Sequence, residues 1–467
     1  MVELIGRYKE RKMLDRCLKS SRSEFVIVSG RRRIGKTFLV SRLYADKFAF
    51  YYTGGHNLSN NEQLARFSDC LRRFSGSCLD LRIKDWFQAF EQLQNYLGSL
   101  SGTEKKIVFF DEMPWIDSHN SRFVKALEYF WNSWASLRDD ILFISSGSAT
   151  SWMNDKLLDN QGGLHNRVTC QIFLEPFTLG ETEEYLQKNG FCWDRYMILQ
   201  TYMILGGVPF YLSLLNNQCS LPQNIDELCF SKNGLLSREF DELYNALFSN
   251  ADKYISIVKT LSDNEMGLVR TDIVKKTKIQ GSTLSRMLDN LEKCGFIINY
   301  TQYGKNTKDA VYRLSDFYSL FYFRFIKPNY KEPNFWQKHI NQPAINTWQG
   351  LTFELICLMH LEQIKKALGL SVISTKSTTC LTKDLQIDLV IERADRYVNL
   401  CEMKFSADKF TITRDYADKI RERTALFREK LKRKMILLNT FVTTYGVLKN
   451  SNYSVCNSEI TMDQLFE

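Results

Sequence analysis

A glycine-bounded loop between an apolar strand and an apolar helix is the feature that most constrains the fold of this chain. The apolar run Phe25–Ser29 leads into the loop, and Phe38–Val40 continues into the helix that follows it. The loop has the form G-x-x-x-x-G-K-T and consists of Gly30, Arg31, Arg32, Arg33, Ile34, Gly35, Lys36 and Thr37. Glycines let backbone N–H groups turn towards a phosphate, and the helix N-terminus adds partial positive charge. These residues are therefore predicted to bind the phosphates of ATP.

The residues that end this loop, and an acidic pair further along the chain, suit magnesium-dependent phosphate chemistry. Lys36 would neutralise oxygens of the β- and γ-phosphates, and Thr37 would offer its hydroxyl to Mg²⁺. The strand candidate Ile107–Phe110 ends in Asp111 and Glu112. We expect Asp111 to hold the Mg²⁺ shell through water and Glu112 to be the general base that polarises the attacking water. Two such motifs, in order and in context, indicate an ATPase core of P-loop type.

Two less specific candidates complete the predicted nucleotide site. Ser146, just after the strand candidate Ile141–Ser145, could lie between the two motif strands and sense the γ-phosphate, or it could belong to an ordinary turn. Arg167 could reach a phosphate in its own chain or in a neighbouring copy, or it could lie on the surface. The loop arginines are interpreted as solvated or phosphate-facing rather than as nucleic-acid contacts.

Composition places few limits on the function. The 467 residues suggest about three domains. The formal net charge of +9 permits contact with nucleic acid without demonstrating it. Cysteines are scattered without zinc-type spacing and no apolar segment follows Met1, so a cytoplasmic location is expected. The uncharged stretch 196–215 is interrupted by Gly206, Gly207 and Pro209, which predicts two buried helices and no membrane span.

The order of apolar runs predicts an α/β chain with several parts. Runs that are apolar on both faces are typical of a parallel sheet covered by helices, and they are Phe25–Ser29, Phe48–Tyr52, Ile107–Phe110, Ile141–Ser145 and Thr169–Leu174. The predicted parts are a P-loop core at 1–175, a helical lid at 176–250, a winged helix-turn-helix at 251–328, a linker at 329–344 and a further α/β domain at 345–467.

The winged helix-turn-helix is predicted from helices followed by a two-stranded hairpin. Its third helix, Ser282–Lys293, has one apolar face. Off that face lie Ser282, Thr283, Ser285, Arg286, Asn290 and Lys293. These could meet a major groove, with Lys305 and Lys308 of the hairpin near phosphates. Such modules also dock proteins, so contact with DNA and contact with a protein partner both remain open.

A pattern of carboxylates and a lysine distinguishes the C-terminal region. Asp388 interrupts one apolar strand candidate, while Glu402 and Lys404 share one face of the next. Asp388, Glu402 and the Met403 carbonyl would be hard oxygen ligands for Mg²⁺. Lys404 would orient the nucleophile or stabilise the pentacovalent charge. Glu354, on a preceding helix, supplies a further carboxylate. The pattern predicts phosphodiester hydrolysis, with an ordinary Glu–Lys surface pair as the alternative, and segment 404–434 carries 11 basic against 5 acidic residues.

These features together resemble the archaeal-type ATPase family, a branch of the AAA+/STAND P-loop proteins. The N-terminal sequence Leu4-Ile5-Gly6-Arg7-x-x-Glu10 is similar to the family's first box, although Leu4 stands where an aromatic residue is usual. Gly206–Pro209 resembles the G-G-x-P of its helical lid, and Ser146–Ser148 and Arg167 fall at its later signature positions. The resemblance implies an ATPase that uses ATP and Mg²⁺, with homo-oligomers among its expected partners.

The C-terminal part resembles the PD-(D/E)XK nuclease-like domain that is often attached to this family. The complete pattern is Glu354, Asp388, Glu402 and Lys404. Our leading hypothesis is therefore an ATP-dependent protein that couples its nucleotide state to a metal-dependent nuclease acting on nucleic acid, with DNA as the expected substrate. The alternatives are an ATP-dependent DNA-binding or signalling switch whose nuclease fold only docks, and a toxin-like or defence effector that a partner activates.

Overall fold

The computed structural model of the chain divides into two compact units. One unit contains residues 1–175 and 293–295, and the other contains residues 176–292 and 296–467. The structure describes residues 3–76, 83–148, 150–158, 164, 166–248, 250–305, 309–330, 332–382 and 384–467. The predicted hairpin residue Lys308 lies outside these ranges.

The first unit is a parallel sheet with helices. Its helices are α1 (Tyr8–Leu18), α2 (Lys36–Tyr44), α3 (Asn60–Ser75), α4 (Trp86–Ser99), α5 (Phe123–Ser133) and α6 (Thr150–Met153). Its strands are β1 (Glu24–Ser29), β2 (Phe48–Thr53), β3 (Lys106–Asp111), β4 (Ile141–Gly147) and β5 (Cys170–Phe173).

The order of strands in this sheet brings the predicted motifs to one edge. The strands follow the order β2-β3-β4-β1-β5, and every pairing is parallel. Every residue of β1, β3 and β4 is buried, because helices cover both faces of the central strands. The predicted strands and their parallel arrangement are thereby confirmed. Since β4 lies between β1 and β3, the carboxyl end of β4 separates the phosphate loop from the acidic pair.

The second unit begins with helices and continues into two small sheets. Its helices are α7 (Leu179–Lys188), α8 (Arg195–Leu205), α9 (Pro209–Leu212), α10 (Leu221–Ile225), α11 (Leu235–Leu247), α12 (Ala251–Ser262), α13 (Arg270–Thr277), α14 (Gly281–Lys293), α15 (Phe317–Phe321), α16 (Lys327–Asn329), α17 (Phe335–His339), α18 (Pro343–Met359), α19 (Leu361–Ala367), α20 (Arg414–Glu429) and α21 (Met462–Leu465). Its strands are β6 (Leu268–Val269), β7 (Ile297–Tyr300), β8 (Val311–Leu314), β9 (Thr375–Leu381), β10 (Gln386–Arg393), β11 (Tyr397–Lys404), β12 (Ile436–Thr443) and β13 (Ser458–Thr461).

The uncharged stretch 196–215 forms two helices, as predicted. Helix α8 ends where Gly206 and Gly207 both adopt positive φ, of 66° and 64°. A Cβ atom at Gly207 would lie 2.2 Å from the Phe177 carbonyl oxygen, so this turn requires glycine. Across the described ranges, the longest and most apolar helices still fall short of what a bilayer crossing requires.

The described residues of 251–314 contain helices α12, α13 and α14 and the paired strands β7 and β8. Helix α14 buries Leu284, Met287, Leu288 and Leu291, which is the apolar face expected from the sequence. Strands β7 and β8 pair antiparallel, and the short strand β6 adds to β8. The sheet order is β6-β8-β7.

The segment 329–344, for which a linker is predicted, packs against other residues in its described part. It contains α17, in which Phe335 and Trp336 are buried. The carboxylate of Asp226 accepts hydrogen bonds from the backbone N–H groups of Trp336 and Gln337, at 2.8 and 3.0 Å. Burial of two adjacent aromatic side chains lowers the free energy by more than solvation of their polar neighbours does, so the segment packs.

The C-terminal sheet has the order β13-β12-β11-β10-β9. Strands β9, β10 and β11 pair antiparallel, whereas β11, β12 and β13 pair parallel. Helix α20 contributes Phe427 to the apolar cluster on one face of this sheet, together with Val398 and Leu400 of β11. Because side chains alternate along a strand, Glu402 and Lys404 continue the same face towards the carboxyl end of β11.

Candidate nucleotide site and carboxylate cluster

The phosphate loop is held in one conformation by its glycines and by a distant arginine. Gly30 has φ +141°, and a Cβ atom there would lie 2.4 Å from the Leu174 carbonyl oxygen. Gly35 has φ +86° and directly precedes α2. Buried Arg7, from the N-terminal box, donates to the Ile34 carbonyl at 3.2 Å. The loop therefore depends on close packing as well as on its own sequence.

Lys36 lies in a buried ring of oxygen atoms. Its Nζ donates to the carbonyls of Gly30 and Arg31, at 3.2 and 3.0 Å, and to the Ser148 hydroxyl at 2.8 Å. Burial lowers the pKa of Lys36, and the negative charges of Glu112 and Asp111 oppose that fall. These acceptors compensate a buried ammonium group, which would otherwise be costly.

Glu112 is held by Ser148, a residue of the Ser146–Ser148 segment for which the sequence predicted no role. Its Oε1 accepts from the Ser148 hydroxyl at 2.7 Å, and its Oε2 accepts from the Ser148 backbone N–H at 3.2 Å. Glu112 itself has φ +47°, the left-handed region that a non-glycine residue rarely adopts. Ser148 thus contacts both the loop lysine and the predicted general base. The available signal was its position just beyond the end of β4, two residues after Ser146.

Asp111 forms a second hydrogen-bonded group with Thr37 and Ser146. The Thr37 hydroxyl lies 2.9 and 3.0 Å from the two Asp111 carboxylate oxygens. The Ser146 hydroxyl donates to Asp111 Oδ1 and accepts from the Glu112 backbone N–H at 3.3 Å. Burial raises the pKa of Asp111, the Glu112 charge adds to this, and the two hydroxyl donors act against it. The predicted magnesium residues Thr37 and Asp111 are therefore adjacent, and Ser146 contacts them from β4.

The arginines predicted for this site lie in different environments. Arg31 is 2% exposed and is among the largest buried side chains, so of the two predicted environments, solvated or phosphate-facing, it does not have the first. Arg32 and Arg33 are half-buried, and Arg33 has φ +75°. Arg167 is exposed, in the turn before β5. Its role at a phosphate stays a prediction.

Asp388 lies at an irregularity of the C-terminal sheet. The pairing of β10 with β9 shifts by one residue between Ile387 and Val390, which is a β-bulge. Bulges redirect side chains and are frequent beside functional sites. Asp388 Oδ2 accepts from the Met403 backbone N–H at 3.0 Å. This places Asp388 beside the segment that carries Glu402 and Lys404.

Glu402 is surrounded by donors from its own strand and from α20. Lys404 Nζ lies 2.8 Å from Glu402 Oε1, which also accepts from the Tyr416 hydroxyl. Arg423 donates to Glu402 Oε2 and, at 3.2 Å, to the Gln386 carbonyl. Burial acts to raise the pKa of Glu402, but the charges of Arg423 and Lys404 outweigh it and hold the pKa below its usual value.

Tyr416 and Arg423 were missed by sequence reasoning. They are seven residues apart, so two helical turns bring both to the same face of α20. Helical spacing could have paired them with each other, but not with Glu402, because nothing in a sequence states which strand a helix covers.

Glu354 shares its electrostatic environment with Asp388, Glu402 and Lys404, and these four residues are called the carboxylate cluster. Burial raises the pKa of Glu354 to about 8, and the Asp388 charge adds to the rise. The charges of Arg313 and Lys404 act in the opposite direction. Burial and the Glu402 charge also raise the pKa of Asp388, to about 6. Buried Arg313, on β8, donates to the Leu351 carbonyl at 3.1 Å, one turn before Glu354 on α18.

The cluster is less rich in ligands than a preformed multi-carboxylate metal site. Throughout the ranges that the structure describes, no three or more His, Cys, Asp or Glu side chains form a group that could hold a metal ion. Two carboxylates and a backbone carbonyl remain as the oxygen ligands that the sequence predicts.

The residues of α14 that are predicted to contact DNA differ in whether their side chains are exposed or bonded within the fold. Ser282, Ser285 and Arg286 are exposed. Asn290 instead donates to the Tyr254 hydroxyl at 2.8 Å, so its side chain is engaged within the fold. Thr283 and Lys293 are half-buried.

One comparison with a solved structure bears on the type of fold. No protein-family model matches the chain. An uncharacterised protein of Methanocaldococcus jannaschii is 24% identical over 370 residues, which are 78% of each chain. A Walker-type ATPase of Pyrococcus abyssi is similar in structure, with a TM-score of 0.50 and 18% identity, over 69% of this chain and 96% of its own. The fold is that of a Walker-type P-loop ATPase. An ORC2 protein of Aeropyrum pernix has a TM-score of 0.43 at 13% identity, over 77% of this chain and 96% of its own.

Proposed function

We propose that the protein binds and hydrolyses ATP at the carboxyl edge of the parallel sheet. The observation that carries the proposal is the contact of Ser148 with both Lys36 and Glu112, since it unites the loop lysine and the general base in one site. Thr37 and Asp111 complete the site at 2.9 Å from each other.

The donor set fits a magnesium–nucleotide complex. Lys36 is surrounded by neutral oxygen acceptors, which phosphate oxygens would replace with stronger, charged partners. Thr37 and Asp111 supply the hydroxyl and carboxylate that Mg²⁺ prefers, and the ion would neutralise phosphate charge. Glu112 would orient the attacking water, and Ser148 would hold Glu112 in place.

The test is a comparison of binding and turnover in the full chain. Lys36→Ala is expected to lose binding of a fluorescent ATP analogue. Glu112→Gln is expected to retain binding while turnover falls by about 100-fold or more. Lys47→Ala, at an exposed lysine beyond α2, is the matched control and should behave as wild type. Turnover that survives in Glu112→Gln would contradict the assigned base.

We further propose that residues 345–467 act as a PD-(D/E)XK nuclease-like domain whose presentation depends on the nucleotide. Its support is the adjacency of Asp388, Glu402 and Lys404 on β10 and β11. Asp388, Glu402 and the Met403 carbonyl would hold Mg²⁺, which would activate a water for attack on a phosphodiester. Lys404 would stabilise the developing negative charge. Residues 251–328 would serve as the winged helix, contacting DNA or a protein partner, and homo-oligomers are compatible with the core.

A specific observation favours the alternative of a switch with a non-cleaving docking module. Both carboxylate oxygens of Glu402 are already bonded, to Lys404 and Tyr416 on one side and to Arg423 on the other. A metal ion would have to displace at least one of these donors.

Cleavage assays separate the two candidates. Nicking of plasmid DNA is measured with Mg²⁺ or Mn²⁺, with and without ATP, for wild type, Asp388→Ala and Lys36→Ala. Nicking that Asp388→Ala abolishes supports the nuclease, and its loss in Lys36→Ala supports coupling to ATP. ATP turnover without cleavage under any of these conditions supports the switch.

A further inference from the structure

Two hairpin residues that follow β7, Gln302 and Tyr303, are docked on the edge of the C-terminal sheet. The Tyr303 backbone N–H donates to the Thr379 carbonyl of β9 at 2.8 Å, and Gln302 forms a bridge with Thr379. The Tyr303 ring lies 4.7 Å from the ring of Phe427 on α20. This edge of the hairpin is therefore not free to enter a DNA groove.

The same contact brings a basic turn next to the hairpin. Leu431 and Met435, which follow α20, pack on the apolar cluster that also receives Tyr303. The residues between and around them are exposed and basic, and they are Lys430, Lys432, Arg433 and Lys434. The Lys430 backbone N–H donates to the Phe427 carbonyl at 3.0 Å, which holds the start of the turn against the helix.

Lys305 extends this group from the hairpin side. It is exposed, two residues beyond Tyr303, and its backbone N–H donates to the Gln302 carbonyl at 3.1 Å. We define the composite basic surface as Lys305, Lys430, Lys432, Arg433 and Lys434. Among the described residues, none of the five forms an ion pair. Five exposed cations on two docked segments form a local concentration of positive charge, which attracts an anionic partner.

We propose that the composite basic surface binds the phosphodiester backbone of a nucleic-acid duplex. A polyanion with regular charge spacing fits a surface of four exposed lysines and one exposed arginine. Lys430 directly follows α20 and lies seven residues beyond Arg423, or about 10 Å further along the helix axis. That distance is about three base-pair steps, so a strand lying on the surface would pass the carboxylate cluster.

This inference rests on the proposed function only in naming nucleic acid as the partner. Binding to the surface requires neither a metal ion nor cleavage. The test is therefore made in EDTA without ATP. Under these conditions a failure of the nuclease proposal and a failure of the surface proposal give different results.

The experiment measures affinity of the full chain for a fluorescein-labelled duplex of about 30 base pairs by polarisation, between about 50 and 200 mM salt. The first variant replaces all five surface residues by Gln. The matched control replaces five exposed lysines of the ATPase core, Lys9, Lys12, Lys47, Lys84 and Lys125, and so makes the same change in net charge. Circular dichroism checks that both variants are folded.

We expect the surface variant to bind at least tenfold more weakly than the control, with a shallower dependence on salt. Each lost phosphate contact should reduce the slope by about 0.9. Lys305→Gln alone should reduce the salt slope by about 0.9, the value of one phosphate contact. Tyr303→Ala releases the hairpin, so Lys305→Gln should have no such effect in the Tyr303→Ala background.

The proposal is overturned if both five-residue variants weaken binding equally, if Lys305→Gln leaves the slope unchanged, or if wild type binds no duplex. It is also overturned if the surface residues bind polyglutamate or phosphatidylserine vesicles and not the duplex. If the surface variant loses binding while wild type cuts no DNA, the surface stands and the nuclease proposal fails.

Discussion

Ser148 binds both carboxylate oxygens of Glu112, through its hydroxyl at 2.7 Å and its backbone N–H at 3.2 Å. The same hydroxyl is 2.8 Å from Lys36 Nζ. A single serine at the end of β4 therefore connects the lysine that would bind phosphate with the carboxylate that would activate water.

The first prediction concerns this serine. Ser148→Ala should lower kcat for ATP hydrolysis by about tenfold, because Glu112 loses one of its two positioning hydrogen bonds. Binding of ATP should change much less, since the loop and Lys36 remain. Steady-state turnover and nucleotide titration measure the two effects separately. Ser148→Thr keeps the hydroxyl and should retain most activity, whereas an unchanged kcat in Ser148→Ala would remove Ser148 from the mechanism.

The second prediction concerns the close approach at Gly30. Gly30→Ala should abolish nucleotide binding, because the added Cβ would meet the Leu174 carbonyl oxygen at 2.4 Å and φ is +141°. Gly98→Ala is the matched control, since Gly98 lies in α4 with open space around its Cβ position. Binding of a fluorescent ATP analogue reports the difference. Equal affinity in the two variants would mean that the loop tolerates a shifted backbone.

The third prediction concerns the buried ion pair at Glu402. Arg423→Ala should lower the thermal midpoint of the second unit by about 5 °C or more, because it leaves a buried carboxylate with fewer partners. Arg421→Ala removes an exposed pair with Asp418 on the same helix and should lower the midpoint by about 1 °C or less. Calorimetry of the full chain measures both. Similar midpoints for the two variants would show that Arg423 contributes no more than a surface residue.

The fourth prediction is a pH dependence that arises at His360. The Leu179 backbone N–H donates to His360 Nε2 at 3.2 Å, so the ring proton lies on Nδ1, which donates to the Ile356 carbonyl at 2.9 Å. Burial lowers the pKa of His360 from its ordinary value of 6.5 to about 4. The neutral ring is therefore the form that the fold retains.

Stability should fall as the pH falls through this window. Between pH 6.5 and about 4 the unfolded chain binds a proton at His360 that the folded chain does not. The full effect is on the order of 3 kcal/mol, and it is absent above the unfolded pKa. Thermal midpoints at both ends of the window measure it. His360→Gln should be less stable at neutral pH but should lose less on acidification, and an identical pH dependence would assign the effect to other groups.

Local patterns were sufficient for much of the fold. The strands of the first unit, the break after α8 and the apolar face of α14 follow from periodicity and from glycine positions, which act within a few residues. The packing of 329–344 was not predicted, because the benefit of burying Trp336 depends on Asp226, which lies more than a hundred residues earlier.

The sequence by itself determined the chemistry at the ends of single elements: the loop from Gly30 to Thr37, the acidic pair at Asp111 and Glu112, and the spacing of Glu402 and Lys404. Only the tertiary structure decided what joins them. Ser148 meets Lys36 across 112 residues because β4 lies between β1 and β3. Likewise, Arg423 reaches Glu402 because α20 covers that face of the C-terminal sheet. The spacing of residues determines which side chains share a face of one element, whereas the packing of the whole unit determines which residues lie against that face.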